Sequence, residues 1–287
     1  MNLDNKVLAC VDQSAYANHV ADYAAWAALR MSAPLEFLHV IDRHPAVGAS
    51  QDHSGSIGAN AQENLLTQLT NEDEARSRAA RDSGRIFLNA LRERALAAGV
   101  PTVDTRQRHG DLEETLTEQQ HEVRLFVLGR RGASAVNTQR DLGRNVEWVV
   151  RALQRPILAV TEGFRPPERV LIAFDGSSIT RKGVEMVAAS PLFQGLPIHI
   201  VMSGKSSQDG PKQMEWARAK LEAAGFGVVT EIVPGDPETV IGETVRSKGI
   251  DLLMMGAYTH SPLRSLVMGS KTADLLRSAR IPTLLLR

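Results

Sequence analysis

The chain has 287 residues, 43% of them hydrophobic, with 33 basic and 33 acidic side chains and a formal net charge of zero. That length suits two ordinary domains, each with its own core. The balanced charge gives no electrostatic case for nucleic acid or an anionic membrane, so neither is expected as a partner. No run approaches the ~18 apolar residues that suggest a membrane span. MNLDNKVLACVD lacks an apolar stretch fit for a secretory signal. Cys10 is the only cysteine, which excludes an internal disulfide and a Cys-rich zinc site. A cytoplasmic location is the expectation, with Cys10 a buried structural thiol rather than a redox sensor.

In chain order, VLACV (7–11) is a short apolar run ending at Asp12 and predicts a buried strand. Residues 14–31 carry Val20, Ala24, Ala27 and Ala28 at helical spacing. LEFLHVI (35–41) is a second strand. Residues 44–75 are rich in Gly, Ser, Asn and Gln, then show Leu65, Leu66 and Leu69; they read as a mobile loop leading into an extended helix. Lid, docking element and plain disorder are its open roles. A helix follows over 76–98, ended by Gly99, then an edge-like strand over 103–108 and a short helix over 112–120. LFVLG (125–129) is a strand, 145–153 a helix and PILAV (156–160) a last strand. Glu162–Glu168 carries Gly163, Pro166 and Pro167 and reads as a short, stiff linker. Strands then fall at 170–174, 197–202, 228–233, 252–256 and 282–286, with helices near 178–190, 211–224, 237–248 and 270–279.

The second series repeats the first. KVLACVDQS (6–14) aligns with RVLIAFDGS (169–177), HGDLEETL (109–116) with PGDPETVI (234–241), and LFVLGRRG (125–132) with LLMMGAYT (252–259). Residues 141–160 recur as 267–286. The chain is a duplicated α/β domain: 1–163, with an insertion near 44–75, and 168–287. Asp12 to Gly110 spans 98 positions and Asp175 to Gly235 only 60, so the first copy is 38 residues longer there. Alternating strands and helices imply parallel pairing through right-handed crossovers. Ligands of such sheets bind outside the strands' carboxyl ends. Asp12, Asp175, Gly129 and Gly256 all stand at such ends.

Beyond Gly256-Ala-Tyr-Thr259, the run Gly269-Ser270-Lys271-Thr272 opens a predicted helix. A helix start offers free N–H groups and a positive dipole end. Gly269 permits close approach, Ser270 and Thr272 add hydroxyls, and Lys271 adds charge. The run is a phosphate cradle or an ordinary cap, and spacing does not separate the two. Asp12 and Asp175 are ligand contacts or turn-formers. Gly110-Asp111 and Gly235-Asp236 read as turn and N-cap features. Arg130, Arg131, Arg140 and Arg144 form a basic loop, either a solvated surface or a conditional anion site. His39, His109 and His260 read as polar strand-edge residues. No catalytic triad, metal motif or Gly-x-x-x-x-Gly-Lys-Ser/Thr loop occurs.

The strand-end Asp, the Gly-Asp before the third helix and Gly-x2-Gly-x9-Gly-Ser together resemble the universal stress protein family, in its tandem two-domain form. The resemblance spans both halves. It implies two flavodoxin-like (adenine nucleotide alpha hydrolase-like) domains, each a five-stranded, mostly parallel sheet with helices on both faces, packed as an intramolecular pseudo-dimer. It also implies a role in stress response. Some members bind ATP and others do not. In the binders the Asp after strand one and the backbone after strand two hold the nucleoside, and the glycine motif holds phosphates. Carried onto this chain, Asp175 and the backbone near Val201 and Met202 would hold the nucleoside, with Mg²⁺ accompanying the phosphates. Gly256, Thr259, Gly269, Ser270, Lys271 and Thr272 would surround the phosphates. Thr259 departs from the pattern, which has glycine there. The weaker first-half set is Asp12, Gly129, Gly132, Gly143 and Arg144; ten residues separate its last two glycines, and Arg144 replaces Ser. The expected function is nucleotide-responsive adaptation involving an unnamed protein partner. A nucleotide-free scaffold and a slow Mg²⁺-dependent ATP hydrolase without a nameable base are the alternatives. The seam of the pseudo-dimer is expected at PILAV and IPTLLL, and a further homodimer is left open.

Overall fold

The structure, a computed structural model, describes residues 6–41, 61–130, 149–204, 209–257 and 281–287. In the first half β1 (Lys6–Cys10) leads to α1 (Ala17–Met31), β2 (Leu35–Ile41), α2 (Ala61–Ala97), β3 (Val103–His109), α3 (Leu112–Gln119), β4 (Val123–Gly129) and β5 (Ile157–Val160). The second half runs β6 (Val170–Ala173), α4 (Ser178–Ala189), β7 (Ile198–Ser203), α5 (Gly210–Glu222), β8 (Val228–Val233), α6 (Pro237–Lys248), β9 (Leu252–Gly256) and β10 (Thr283–Leu286). Residues 149–152 are also helical. The predicted helix over 270–279 lies outside the described residues.

All ten strands form one sheet, in the order β3-β2-β1-β4-β5-β10-β9-β6-β7-β8. Pairing is parallel within each half. Only β5 and β10, at the centre, run antiparallel. Strand alternation gives each face its own core. Val7, Ala9, Leu125, Val127, Ile172 and Met254 face one side, under α1, α2, α4 and α5. Leu8, Phe126, Leu128, Leu171 and Leu253 face the other, under α3, residues 149–153 and α6. Both cores run across the central pair without a break, because Leu158 and Leu284 belong to one and Ile157 and Leu285 to the other.

The register of that pair is set by the duplication. Leu158 and Leu284 occupy equivalent places in the repeat and lie opposite each other. Flanking them, Thr283 faces Ala159 and Leu285 faces Ile157, so the two contacts are one contact seen twice. This is the self-complementary pattern of a twofold interface, here within one chain. Other details repeat as well. Ser32 and Gly195, equivalent residues, both take the left-handed conformation, at φ 48° and 77°. Gly110 and Gly235 adopt φ 145° and 144°, and the residues after them, Asp111 and Asp236, cap α3 and α6 by accepting from the N–H of Glu114 and Glu238. The turn and N-cap reading of both Gly-Asp pairs holds.

Two differences between the halves concern the frame of the fold. α2 has 37 residues and α5 has 13. Much of the inserted segment is thus helix, continuous with the predicted 76–98 helix; the side chains of Leu65, Leu66 and Leu69 and all of 42–60 lie outside the described set. At the strand starts the first half buries Lys6 and Glu36, 3.1 Å apart, with Arg106 2.9 Å from Glu36. The second half has Arg169, His199 and Glu231 at the equivalent positions. Burial, then the Lys248 charge, hold His199 below its ordinary pKa, and Glu231 pairs with Lys248 at 2.7 Å.

Leu158→Ala and Leu284→Ala are each expected to cost about 2–4 kcal/mol, because both side chains are fully buried at the seam. Since they face each other, the double variant is expected to cost less than the sum of the singles, measured by urea unfolding of the three variants.

Candidate functional site

In each half the strand order reverses around the first strand: β1 lies between β2 and β4, and β6 between β7 and β9. The crevice that such a reversal opens is the usual ligand position of a parallel sheet. Its floor is set by residues at the strands' carboxyl ends. In the second half these are Asp175, just past β6, Val201 and Met202 in β7, and Gly256, the last residue of β9. In the first half they are Asp12 and Gly129. The structure brings these six to the expected places. Thr259, Gly269, Ser270, Lys271, Thr272, Gly132, Gly143 and Arg144 lie outside the described residues.

Asp175 is fixed by the turn it makes. Its Oδ1 accepts from the Ser177 N–H at 3.0 Å and from the Thr180 hydroxyl at 2.7 Å. Ser177 in turn caps α4, its side chain accepting from the Thr180 N–H. Gly176 takes φ 76° to close the turn, and the Gln213 side chain lies so close that a Cβ there would fall 1.6 Å from its Oε1. What desolvation the turn imposes works against ionisation of Asp175, but the bonds from Ser177 and Thr180 outweigh it and hold its pKa below the ordinary carboxylate value. The result is an exposed, oriented, ionised carboxylate beside Val201, whose carbonyl is occupied by the Phe174 N–H at 2.9 Å. Next to it the Arg181 guanidinium lies 5.1 Å over the Trp216 ring, which stacks on Phe174.

The first half builds the same turn. Asp12 Oδ1 accepts from the Ser14 N–H at 3.2 Å, and Ala17 stands where Thr180 does, so no hydroxyl comes from that position. α2 closes over this side. Gln13 bonds Ser83 at 3.2 Å, and His39, the counterpart of Met202, meets Phe87 edge to face at 5.6 Å. The Nδ1 of His39 lies 2.9 Å from the Val11 carbonyl and donates to it. His39 is thus a packed, bonded side chain under a helix, not the strand-edge residue the sequence suggests. His109 is exposed, and His260 lies outside the described residues.

Arg130 also corrects the sequence reading. It follows Gly129 and is only 9% exposed, which removes this arginine from the solvated-surface alternative and leaves the anion-site alternative untouched. Its backbone N–H donates to the Val160 carbonyl, which draws the residue into the sheet. Arg131, Arg140 and Arg144 lie outside the described residues. Burial pushes the Cys10 thiol up to about 12, in keeping with a structural cysteine. Among the described residues no cluster of three or more His, Cys, Asp or Glu is placed to hold a metal, and no helix is long and apolar enough to cross a membrane.

The sequence matches the profile of the Universal stress protein family twice, over residues 5–161 and 167–287. The chain belongs to the universal stress protein family. Universal stress protein Slr1230 of Synechocystis sp. is 34% identical over 284 residues, 98% of this chain and 99% of its own. Among solved structures, a universal stress protein from Archaeoglobus fulgidus superposes over 100% of this chain and 98% of its own with a TM-score of 0.74 at 17% identity. A functionally unknown protein from Pseudomonas aeruginosa does so over 99% and 93% with a TM-score of 0.62 at 18% identity. The tandem universal stress protein architecture extends over the whole chain.

Three outcomes check this geometry. Thr180→Ala is expected to raise the Asp175 pKa toward its ordinary value, followed by carboxyl NMR titration. The depressed pKa adds stability above the ordinary carboxylate range that is lost as pH falls through the folded-state value. Thr180→Ala should therefore cost about 1 kcal/mol at pH 7, the low end for a bond to an exposed charge, and less at pH 3. Cys10 is expected to react with a disulfide reagent at pH 8 at least roughly 100-fold more slowly in the folded protein than in urea.

Proposed function

We propose that this universal stress protein binds an adenine nucleotide in its second half as a regulatory ligand in stress response. The observation that carries the reading is the oriented, ionised Asp175 carboxylate at the sheet's switch point. It is an acceptor suited to the hydroxyls of a ribose, and the chain beyond Gly256 would take the phosphates. Ser177 and Thr180 occupy only Oδ1 among the bonds described here, so a turn-forming role and a ligand role are compatible. The first half supports the asymmetry. There α2 packs against His39 at the position equivalent to Met202, and Arg144 replaces the Ser of the motif. Family membership supports the stress-response role. Nucleotide occupancy would act by shifting a conformational equilibrium, which requires different affinity for the two states.

A second reading rests on α2. Its 37 residues extend well beyond the α5 counterpart, and Ile86 is 67% exposed on it. That length favours a scaffold that captures a protein partner through the inserted segment, without nucleotide.

Calorimetric titration with ATP and Mg²⁺ separates the two. One equivalent is expected to bind, with affinity reduced about tenfold or more in Asp175→Ala and abolished in Gly269→Glu. Binding unchanged in both variants removes the assigned site. An absence of binding, with partner capture lost on deleting 44–75, establishes the scaffold.

A further inference from the structure

The linker between the halves occupies only one of two places that the twofold seam creates. On one side, the Phe164 ring meets Tyr23 edge to face, with centroids 4.8 Å apart. The adjoining backbone N–H groups of Glu168 and Arg169 each donate to Asp251 at 3.1 Å. An aromatic ring and a pair of hydrogen-bond donors thus sit against a tyrosine and a carboxylate. The repeat relates Tyr23 to Met186, Trp26 to Ala189, Asp251 to Arg124 and Leu158 to Leu284. Those four counterparts line the other place, and it is a half-open pocket of about 280 Å³.

We infer that this seam cavity is a binding site for a small aromatic carboxylate. Each part of the ligand is specified by what the cavity has and its twofold mate lacks. Trp26 and Tyr23 are replaced by the smaller Ala189 and Met186, which leaves room for a ring; Met is also well suited to contact with an aromatic edge. Apolar cavities of roughly 150 Å³ already hold benzene, so this one has space for a ring and a polar group. The charge is reversed. Asp251 meets donors, whereas Arg124 stands in its place and demands an acceptor. Among the described contacts the Arg124 guanidinium has no hydrogen-bond or ion-pair partner, although the residue is partly buried. Arg155, also on the wall, spends its Nε on the Gln120 carbonyl at 3.1 Å and keeps its terminal nitrogens for the same carboxylate. The walls come from both halves and are held together, because Arg30 of α1 donates to the Leu192 carbonyl at 2.6 Å and to the Gln194 carbonyl. None of Asp12, Asp175, Gly129, Gly256, Val201 and Met202 lines the cavity. The site is therefore separate from the proposed nucleotide crevice and stands or falls without it.

The test is titration of the full chain with 3-phenylpropionate, with 3-phenylpropanamide as neutral and 3-phenylpropylamine as cationic isostere. Calorimetry is read together with the methyl resonances of Met31 and Met186, two wall residues. The acid is expected to bind near one equivalent and to shift both methyl signals; the amide should bind about tenfold or more weakly and the amine not at all. Arg124→Gln should weaken the acid about tenfold and leave the amide unchanged. Ala189→Trp, which installs the residue found at the mate, should abolish binding while the thermal midpoint stays within a few degrees. Equal affinity for acid and amide, binding without movement of the Met186 methyl, or no binding of the acid at ~10 mM overturns the proposal. Arg124→Gln and the methyl shifts decide the matter even where Ala189→Trp does not fold.

Discussion

The antiparallel pairing of β5 with β10 joins two parallel sheets that would each expose a short, uncharged and mostly apolar edge. Ile157–Val160 and Thr283–Leu286 are buried along their full length. Neither stretch has the charges with which open edges are usually protected. Each half therefore needs the other, and fusion supplies it at high local concentration. The continuity of both cores across the seam follows, since side chains that alternate on one strand meet side chains that alternate on the next.

Because the seam is self-complementary while the chain is not, every other difference between the halves is a departure from a common plan. The carboxylate after the first strand keeps its turn in both, but Thr180 adds a bond to Asp175 that Ala17 does not give Asp12. A histidine packed on a phenylalanine replaces the methionine on the floor of the crevice. The polar row at the strand starts changes its members, from Glu36 and Arg106 to His199 and Glu231. A duplicated fold tolerates such changes where the backbone frame is fixed by the repeated glycines and caps and only side chains vary.

What the sequence made legible is what depends on local rules. Strand limits fell within two residues, and apolar runs that end at Asp12, Gly129, Asp175 and Gly256 mark the sheet's rim. The Gly-Asp turns were readable because a positive φ and an N-cap leave their mark in two adjacent residues. The seam was readable because it is a repeat meeting itself. Contacts between distant segments were not. Nothing near His39 announces Phe87, and nothing near Arg130 announces its burial. Thr180 belongs to no sequence motif, though a hydroxyl one turn into a helix that follows a strand-end Asp is a signal that points to it. Phe164 lay in a stretch read only for its glycine and prolines. Of the candidate site, the rim residues came from pattern, while the chemistry of Asp175 came only from knowing which groups bond it.

The two outer strands of the sheet are unlike each other. β3, VDTRQRH, alternates charge along its free edge, with Arg106 tied back to Glu36. β8, VVTEIV, carries a single charged residue, Glu231, and that one is paired to Lys248. Among the described residues, more charge opposes lateral growth of the sheet at the β3 border than at the β8 border. Were two copies to meet through β8, only the more charged β3 borders would be left outside, and the sheet would end at the pair.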